Sequence, residues 1–425
     1  MKRVILLLIN ILVFGMCSFS IELPTYSDVN YKDNVKTVLL HPKGDAFAKP
    51  VIFINDMTEA LHLEFDILDS EAPYLYYTLI HCSNDWRPTD LPMNDYINGF
   101  PYDDVDNYSF SLNTMVDYVH YELDFPNANM MPKISGNYLL VVYGEDQNLE
   151  NIYFTRRFMV SEEIAVIKAN IPRYPYDLNL GTNKQQVNLQ VSYPSLFNSR
   201  ANEYSNVTIQ QNGRWDNAVI GLKPTYVYPE YLSYENNKLT VFESGNQFRH
   251  LNTSNLNNRP EQTESVRQGD YYYIVTLYPD KKRNHHTYFD EEDLFGGKYI
   301  YLEREDKNPS VEADYVMVDF TLDWYPVMTD RDVYVMGAIT DWNFNESNKM
   351  TYDYNKKCYK LSLLLKQGFY DFIYAVRDKG AKVADVGTVA GDFWETQNEY
   401  TIYVYLFDPM LNYDKLIGVT VIRSH

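Results

Sequence analysis

The chain has 425 residues, a formal charge of −21 and 16% aromatic residues, 40 of them Tyr. So acidic a surface repels phosphate backbones, which argues against nucleic acid as a partner. The length allows about two to four domains with substantial cores, and Tyr-rich segments favour strands.

Lys2 and Arg3 open the chain, and an apolar run follows from Val4 to Met16, broken by Asn10 and Gly15. Small residues at Ser18 and Ser20 suit cleavage before Ile21. This is the layout of a secretory signal peptide over residues 1–20. The run is shorter than the ~20 apolar residues that span a bilayer. Bulky Phe14 and Met16 before Cys17 do not fit a lipid-anchored cysteine. The mature chain is therefore expected to be exported. Cys82 and Cys358 then remain, and they are expected as buried free thiols rather than a disulfide.

Period-two alternation dominates the rest of the chain. Leu61, Leu63, Phe65 and Ile67 point one way, and His62, Glu64 and Asp66 the other. Val187, Leu189 and Val191 repeat the pattern. Val207 and Ile209 lead into Asn212-Gly213, a hairpin signal because both residues tolerate positive φ. Further strands are predicted over 74–80, 138–143, 152–160, 271–278, 298–303, 315–322, 332–337, 359–365, 369–376, 400–406 and 416–422. Helical periodicity is nearly absent. The fold class expected is all-β, with three consecutive immunoglobulin-like or early-set β-sandwiches after the signal peptide. Their expected bounds are 21–162, 163–308 with a long polar loop near 246–268, and 309–425.

No nucleophile elbow, phosphate-binding glycine loop, zinc helix or Cys-x-x-Cys pair occurs. No catalytic residue, metal or cofactor is expected. Three clusters are weighed. His81-Cys82 with Asp85 could pair a nucleophile with a base, but adjacent strand residues face opposite ways. His285-His286 with Asp290, Glu291, Glu292 and Asp293 reads as a solvated acidic loop. Asp103, Asp104 and Asp106 lack the glycine and distal Glu of a calcium loop and read as an exposed turn. Four Asn-x-Ser/Thr sequons, at Asn107, Asn206, Asn252 and Asn345, are read as chance in an Asn-rich chain. The segment from Asp332 to Val376, with Trp342 after Thr340-Asp341, has the strand, Trp turn and Gly hairpin of early-set glycan-binding modules. Trp342 and Trp394 are thus candidate interaction residues that could stack on sugar rings. A Trp closing the sandwich core is the preferred alternative.

Several stretches resemble the plug protein family of the type IX secretion system, found in Bacteroidetes-type bacteria. They are Ile80-His81-Cys82-Ser83-Asn84-Asp85-Trp86, Asp95 to Phe100, Ser135 to Tyr138 and Arg156-Arg157-Phe158. They continue with Asp177-Leu178-Asn179, Gln185-Gln186-Val187 and Glu243 to Arg249. The last segment adds Val335 to Trp342, Asn348 to Tyr352, Leu364 to Tyr370, Glu395 to Tyr400 and Asp414 to Gly418. Glu243-Ser244-Gly245 departs from the family, where Pro and Glu are expected before the glycine. The resemblance implies a periplasmic plug, peripherally associated with the outer membrane through its partner. That partner is a large outer-membrane β-barrel translocon, whose periplasmic opening the plug would occlude. No small-molecule substrate is implied. Most motif residues are expected to be structural, with Arg156 and Arg157 making strand-edge contacts. A carbohydrate-binding envelope protein using Trp342 and Trp394 is the alternative.

Overall fold

The computed structural model describes residues 23, 25–56, 60–145, 151–194, 200–257, 260, 262–283, 288–289 and 292–425. The expected signal segment 1–20, with Cys17, lies outside them, as do His285, His286, Asp290 and Glu291. Strand makes up 47% of the chain and helix 7%, so the protein is all-β. Among the described residues no helix is long and apolar enough to cross a membrane.

The first unit has two facing sheets. One runs in spatial order Val35–Pro42, Leu61–Ile67, Val119–Phe125, Asn107–Phe110. The other runs Val29–Asn30, Ile152–Ser161, Gly136–Tyr143, Leu75–Cys82, Asp103–Val105, with Val51–Phe53 beside Ile152–Ser161. Alternation explains the core between them. Leu61, Leu63, Phe65 and Ile67 are all buried there with Tyr77, Tyr138 and Phe158. Asp66, expected on the wet face, is buried as well, because another part of the chain covers that face.

The second unit pairs Val166–Asn170, Asn188–Ser192, Leu232–Ser233 and Tyr226–Val227 in one sheet. Its facing sheet runs Val219–Leu222, Ser205–Gln211, Glu399–Asp408, Tyr413–Arg423. Asn212 (φ 52°) and Gly213 (φ 80°) make the predicted turn after Ser205–Gln211. The division expected at 163–308 and 309–425 does not follow these sheets. The last two strands belong to the second unit, in register from Ser205 opposite Leu406 to Gln211 opposite Tyr400. Local alternation marks strands but carries no record of which distant strand each one joins.

The third unit is inserted within the second. Thr263–Gln268, Tyr273–Leu277, Tyr315–Asp323, Cys358–Lys366 and Thr351–Asp353 form one sheet. The other is built on Gly368–Asp378, which pairs with Arg249–Asn252, Lys298–Ile300 and Arg331–Met336. Val318, Phe320, Val333, Val335, Phe372 and Tyr374 share the core between them. The units are thus not consecutive along the chain. The stretch 246–268 is not one long loop either, since it holds Arg249–Asn252 and Thr263–Gln268. Asn246 and Gln247 at its start are buried with specific bonds: Asn246 Nδ2 donates to Ala390 O at 3.0 Å, and Gln397 N–H donates to Gln247 Oε1 at 2.9 Å.

The face of Leu61–Ile67 that carries Asp66 is covered by the third unit. Lys366 Nζ reaches Asp66 Oδ2 at 2.7 Å, and both side chains are 1% exposed. Tyr315 Oη donates to the same oxygen at 2.6 Å, and His120 Nδ1 lies 2.7 Å from the other. Burial alone would raise the Asp66 carboxyl. Lys366 and His120 outweigh it and hold the group below its ordinary range. A carboxyl depressed in this way stabilises the fold above its unfolded pKa, and the gain is lost as pH falls through the folded value. Lys366→Ala leaves the Asp66 charge buried without its cation, and is expected to cost about 3–5 kcal/mol in urea unfolding at pH 7. Asp66→Asn should flatten the loss of stability on acidification below roughly pH 4, near the ordinary carboxylate range. An unchanged acid limb would place the sensitive carboxylate elsewhere.

Candidate functional site

His81 and Cys82 end the strand Leu75–Cys82 and face opposite sides. His81 Nε2 lies 3.2 Å from Ser135 O and Nδ1 3.0 Å from Thr89 Oγ1. Burial pushes its imidazole down to about 4. The Cys82 thiol packs with Trp86, Leu139 and Tyr403, and burial pushes it up to about 12. Asp85 is taken by Ser83 Oγ at 2.6 Å and Arg87 Nε at 3.0 Å. These three side chains form no nucleophile–base pair. Cys82 and Cys358 are both free and buried. Asp103 and Asp104 lie in the strand Asp103–Val105 rather than in a turn. Asp103 accepts from Tyr77 Oη and from the amides of Asn127 and Asn129. Of the acidic loop, Asp293 accepts from the N–H groups of Phe248 and Phe295, both at 2.9 Å.

A concavity lies where the three units meet. It has a volume of about 550 Å³ and takes wall residues from all three. Two motifs of the family resemblance converge there. Asp341 (φ 50°) and Trp342 (φ 56°) are successive left-handed residues after the turn Ala338–Thr340. Non-glycine residues held in this region mark sites that their surroundings over-determine. Asp341 Oδ2 accepts from Arg156 Nη2 at 2.9 Å and from Asn30 Nδ2 at 3.3 Å, while Oδ1 takes Lys298 Nζ at 3.1 Å. Asn343 Nδ2 donates to Asp28 O at 2.9 Å. Asp341 and Asn343 therefore fasten the third unit to the first. Trp342 is half-buried and fastens it to the second: its indole lies against Gly213, with Phe248 edge-on at 6.1 Å.

Arg156 Nη2 donates to Asn30 Oδ1 of the edge strand at 2.8 Å, and Arg157 Nε donates to Tyr26 O just before that strand at 3.2 Å. Their strand, Ile152–Ser161, has neighbours on both sides, and both side chains leave the sheet for the junction. The Arg157 guanidinium sits 5.0 Å from the Trp86 ring and 4.8 Å from that of Trp215, a geometry in which each aromatic face attracts the cation. Burial alone would raise the Asp341 carboxyl, but Lys298 and Arg156 hold it below the ordinary range. Behind the wall, burial and the neighbouring Asp293 push Asp371 up to about 7. Its Oδ2 accepts from the N–H groups of Leu294 and Gly296, which anchors the loop that lines the cavity.

Trp394 lies apart from Trp342. Arg173 stacks 4.0 Å over its ring and His425 meets it at 4.3 Å. Asp66 and Lys366 are not recognisable as a pair from sequence, since alternation assigns Asp66 to solvent. Other family motifs also make long-range bonds, between the first and second units or within the second. Asn84 N–H donates to Asp414 Oδ2 at 3.0 Å, Tyr405 Oη to Asn137 Oδ1 at 2.7 Å, and Asn398 Nδ2 to Gln185 Oε1 at 3.0 Å.

Residues 35–162 match the family model described as type 9 secretion system plug protein 1st domain. A crystal structure of a hypothetical protein from Parabacteroides merdae is 31% identical, with a TM-score of 0.89 over 94% of this chain and 99% of that one. The chain belongs to the type IX secretion system plug family. Its role is accordingly related to type IX secretion. The family match covers the first unit, which ends with the strand Ile152–Ser161. The Parabacteroides merdae structure extends the likeness over the other two. The BSP domain of a biofilm-associated protein is 9% identical, with a TM-score of 0.18 over 95% of this chain and 61% of that one. The C-terminal domain of the Streptococcus agalactiae AgI/II polypeptide BspA is 8% identical, with a TM-score of 0.15 over 90% and 98%. Neither bears on the fold or the role. No curated protein matches the chain.

The plug family motif at Trp342 can be tested at its neighbour Gly296. A Cβ there would lie 2.4 Å from Trp342 Cη2 and 2.8 Å from Phe248, at a φ of 80°. Gly44, at φ 94° with nothing within 4 Å, shares only the backbone penalty. Gly296→Ala is expected to lower unfolding stability by about 1–3 kcal/mol more than Gly44→Ala, the usual range for overpacking. Equal effects in urea titrations would show that Trp342 does not fill the junction as described.

Proposed function

We propose that the chain is the periplasmic plug subunit of the type IX secretion system, occluding the periplasmic opening of the outer-membrane translocon barrel. The observation that carries this reading is the family match at residues 35–162, joined to a likeness at a TM-score of 0.89 across the whole described architecture. The expected signal segment supports an envelope location. The mechanical character of the chain supports occlusion. Three sandwiches, each bonded to the other two, present broad surfaces and have little conformational freedom to lose when they seat against a partner.

The reading asks no covalent chemistry of the chain. His81 and Cys82 serve packing, and the ionised groups at the junction hold units together. On this view the plug reaches the membrane through its barrel partner rather than by inserting. The role predicts that deleting the gene opens an idle barrel. Uptake of a large hydrophilic antibiotic such as vancomycin should rise in the deletion strain and return to the wild-type level when the full chain is supplied. A deletion strain as impermeable as its parent would remove the occluding role.

A further inference from the structure

The strand Asn107–Phe110 closes one sheet of the first unit, with Val119–Phe125 on one side and no strand on the other among the described residues. Tyr108 stands opposite Tyr121 and Phe110 opposite Val119. Tyr121 and Val119 face the core, so Tyr108 and Phe110 face the same way. Tyr108 lies 5.6 Å from the core ring of Tyr121, but nothing among the described residues covers the outer side of the pair, and they are 48% and 54% exposed. Their rings meet edge to face at 5.9 Å.

The backbone of the same two residues is open on its outer side. Ser111 N–H donates to Tyr118 O at 2.8 Å. In an antiparallel pair such bonds fall on every second residue. Ser109 and Asn107 therefore bond inward, and Tyr108 and Phe110 turn their N–H and C=O groups outward. The next outward N–H in that row, from Leu112, donates to Val311 O of the third unit at 2.8 Å. The row is thus already used as an interface at one end. It remains open over the two residues with uncovered aromatic rings, which is the arrangement that accepts an added strand.

Charge indicates what the added strand carries. Between Arg87 and Lys133 the chain has no Lys or Arg and eight Asp or Glu. Asp104, Asp106 and Asp117 flank the edge and are exposed. A basic segment is drawn to such a surface and an acidic one repelled.

We propose that this edge is where the outer-membrane partner docks, by adding a short extended segment of its own beside Asn107–Phe110. The segment places apolar side chains at alternate positions over Tyr108 and Phe110 and carries Lys or Arg at its flanks. This inference rests on the plug reading, since it takes the barrel as the partner.

The test uses the full chain with a photo-crosslinking residue at position 108, and the variants Phe110→Pro and Phe110→Lys. Proline removes an outward N–H that the fold does not use, and lysine opposes a basic segment. Both variants should keep the wild-type melting temperature. Irradiation in cells should join position 108 to the barrel. Both variants should recover roughly tenfold less barrel, or lower still, from solubilised outer membranes, as expected of a central aromatic contact. Capture of the barrel by wild type and variants alike, without a crosslink at 108, overturns the docking edge and leaves the plug reading standing. Wild type that captures no barrel at all overturns both. A crosslink between two copies of this chain, with a dimer that Phe110→Lys dissociates, also overturns the inference by assigning the edge to self-association.

Discussion

Strand Glu399–Asp408 pairs with Ser205–Gln211 on one side and with Tyr413–Arg423 on the other. The chain must therefore leave the second unit, build the third and return before the second can close. The third unit is held at both ends, so it cannot swing on a single linker. The returning strand also faces two clusters. Tyr400, Ile402 and Val404 enter the core of the second unit, while Tyr403 and Tyr405 pack with Leu139, Val141 and Trp86 of the first. One hairpin thereby completes a sandwich and seals it to its neighbour. Closing so long a loop costs only slowly more as the loop lengthens, and burial on both faces of the strand opposes that cost.

Apolar contact would hold the units together without fixing their angles. The buried ions add direction. Asp66 with Lys366, and Asp341 with Arg156 and Lys298, join the first unit to the third at two separate places. Ion pairs of this kind bring little net stability against apolar substitutes, but separating the partners leaves a charge without compensation. They therefore weigh heavily against any misplaced arrangement of the units.

Strand existence is legible in the sequence and strand partnership is not. The predicted segments 315–322, 359–365 and 400–406 correspond to Tyr315–Asp323, Cys358–Lys366 and Glu399–Asp408. The near-continuous apolar run from Tyr400 to Phe407 carries a signal of burial on both faces. Its partner in the second unit cannot be named from local pattern, and the expected boundary at 309 rests on the polar stretch 303–309, a local signal that carries no record of strand partnership. Asp66 departs from expectation for a related reason. Its solvent-side position in the alternation is real, but the third unit occupies that side. Trp342 reads from sequence either as a sugar platform or as a core-closing residue. Its ring packs on the buried cluster of Phe248, Met336, Ile373 and Ala375 and also lies between Gly213 and Gly296 where units meet. The order of family motifs is readable, and their convergence on the boundaries emerges only in three dimensions.

The tethered third unit, the shared hairpin and the paired charges all act on the joints between the units. Scanning calorimetry of residues 21–425 tests this most directly. Units that depend on one another should unfold in a single transition, with the calorimetric enthalpy equal to the van't Hoff value. Two resolved transitions, with the third unit melting on its own, would contradict the account.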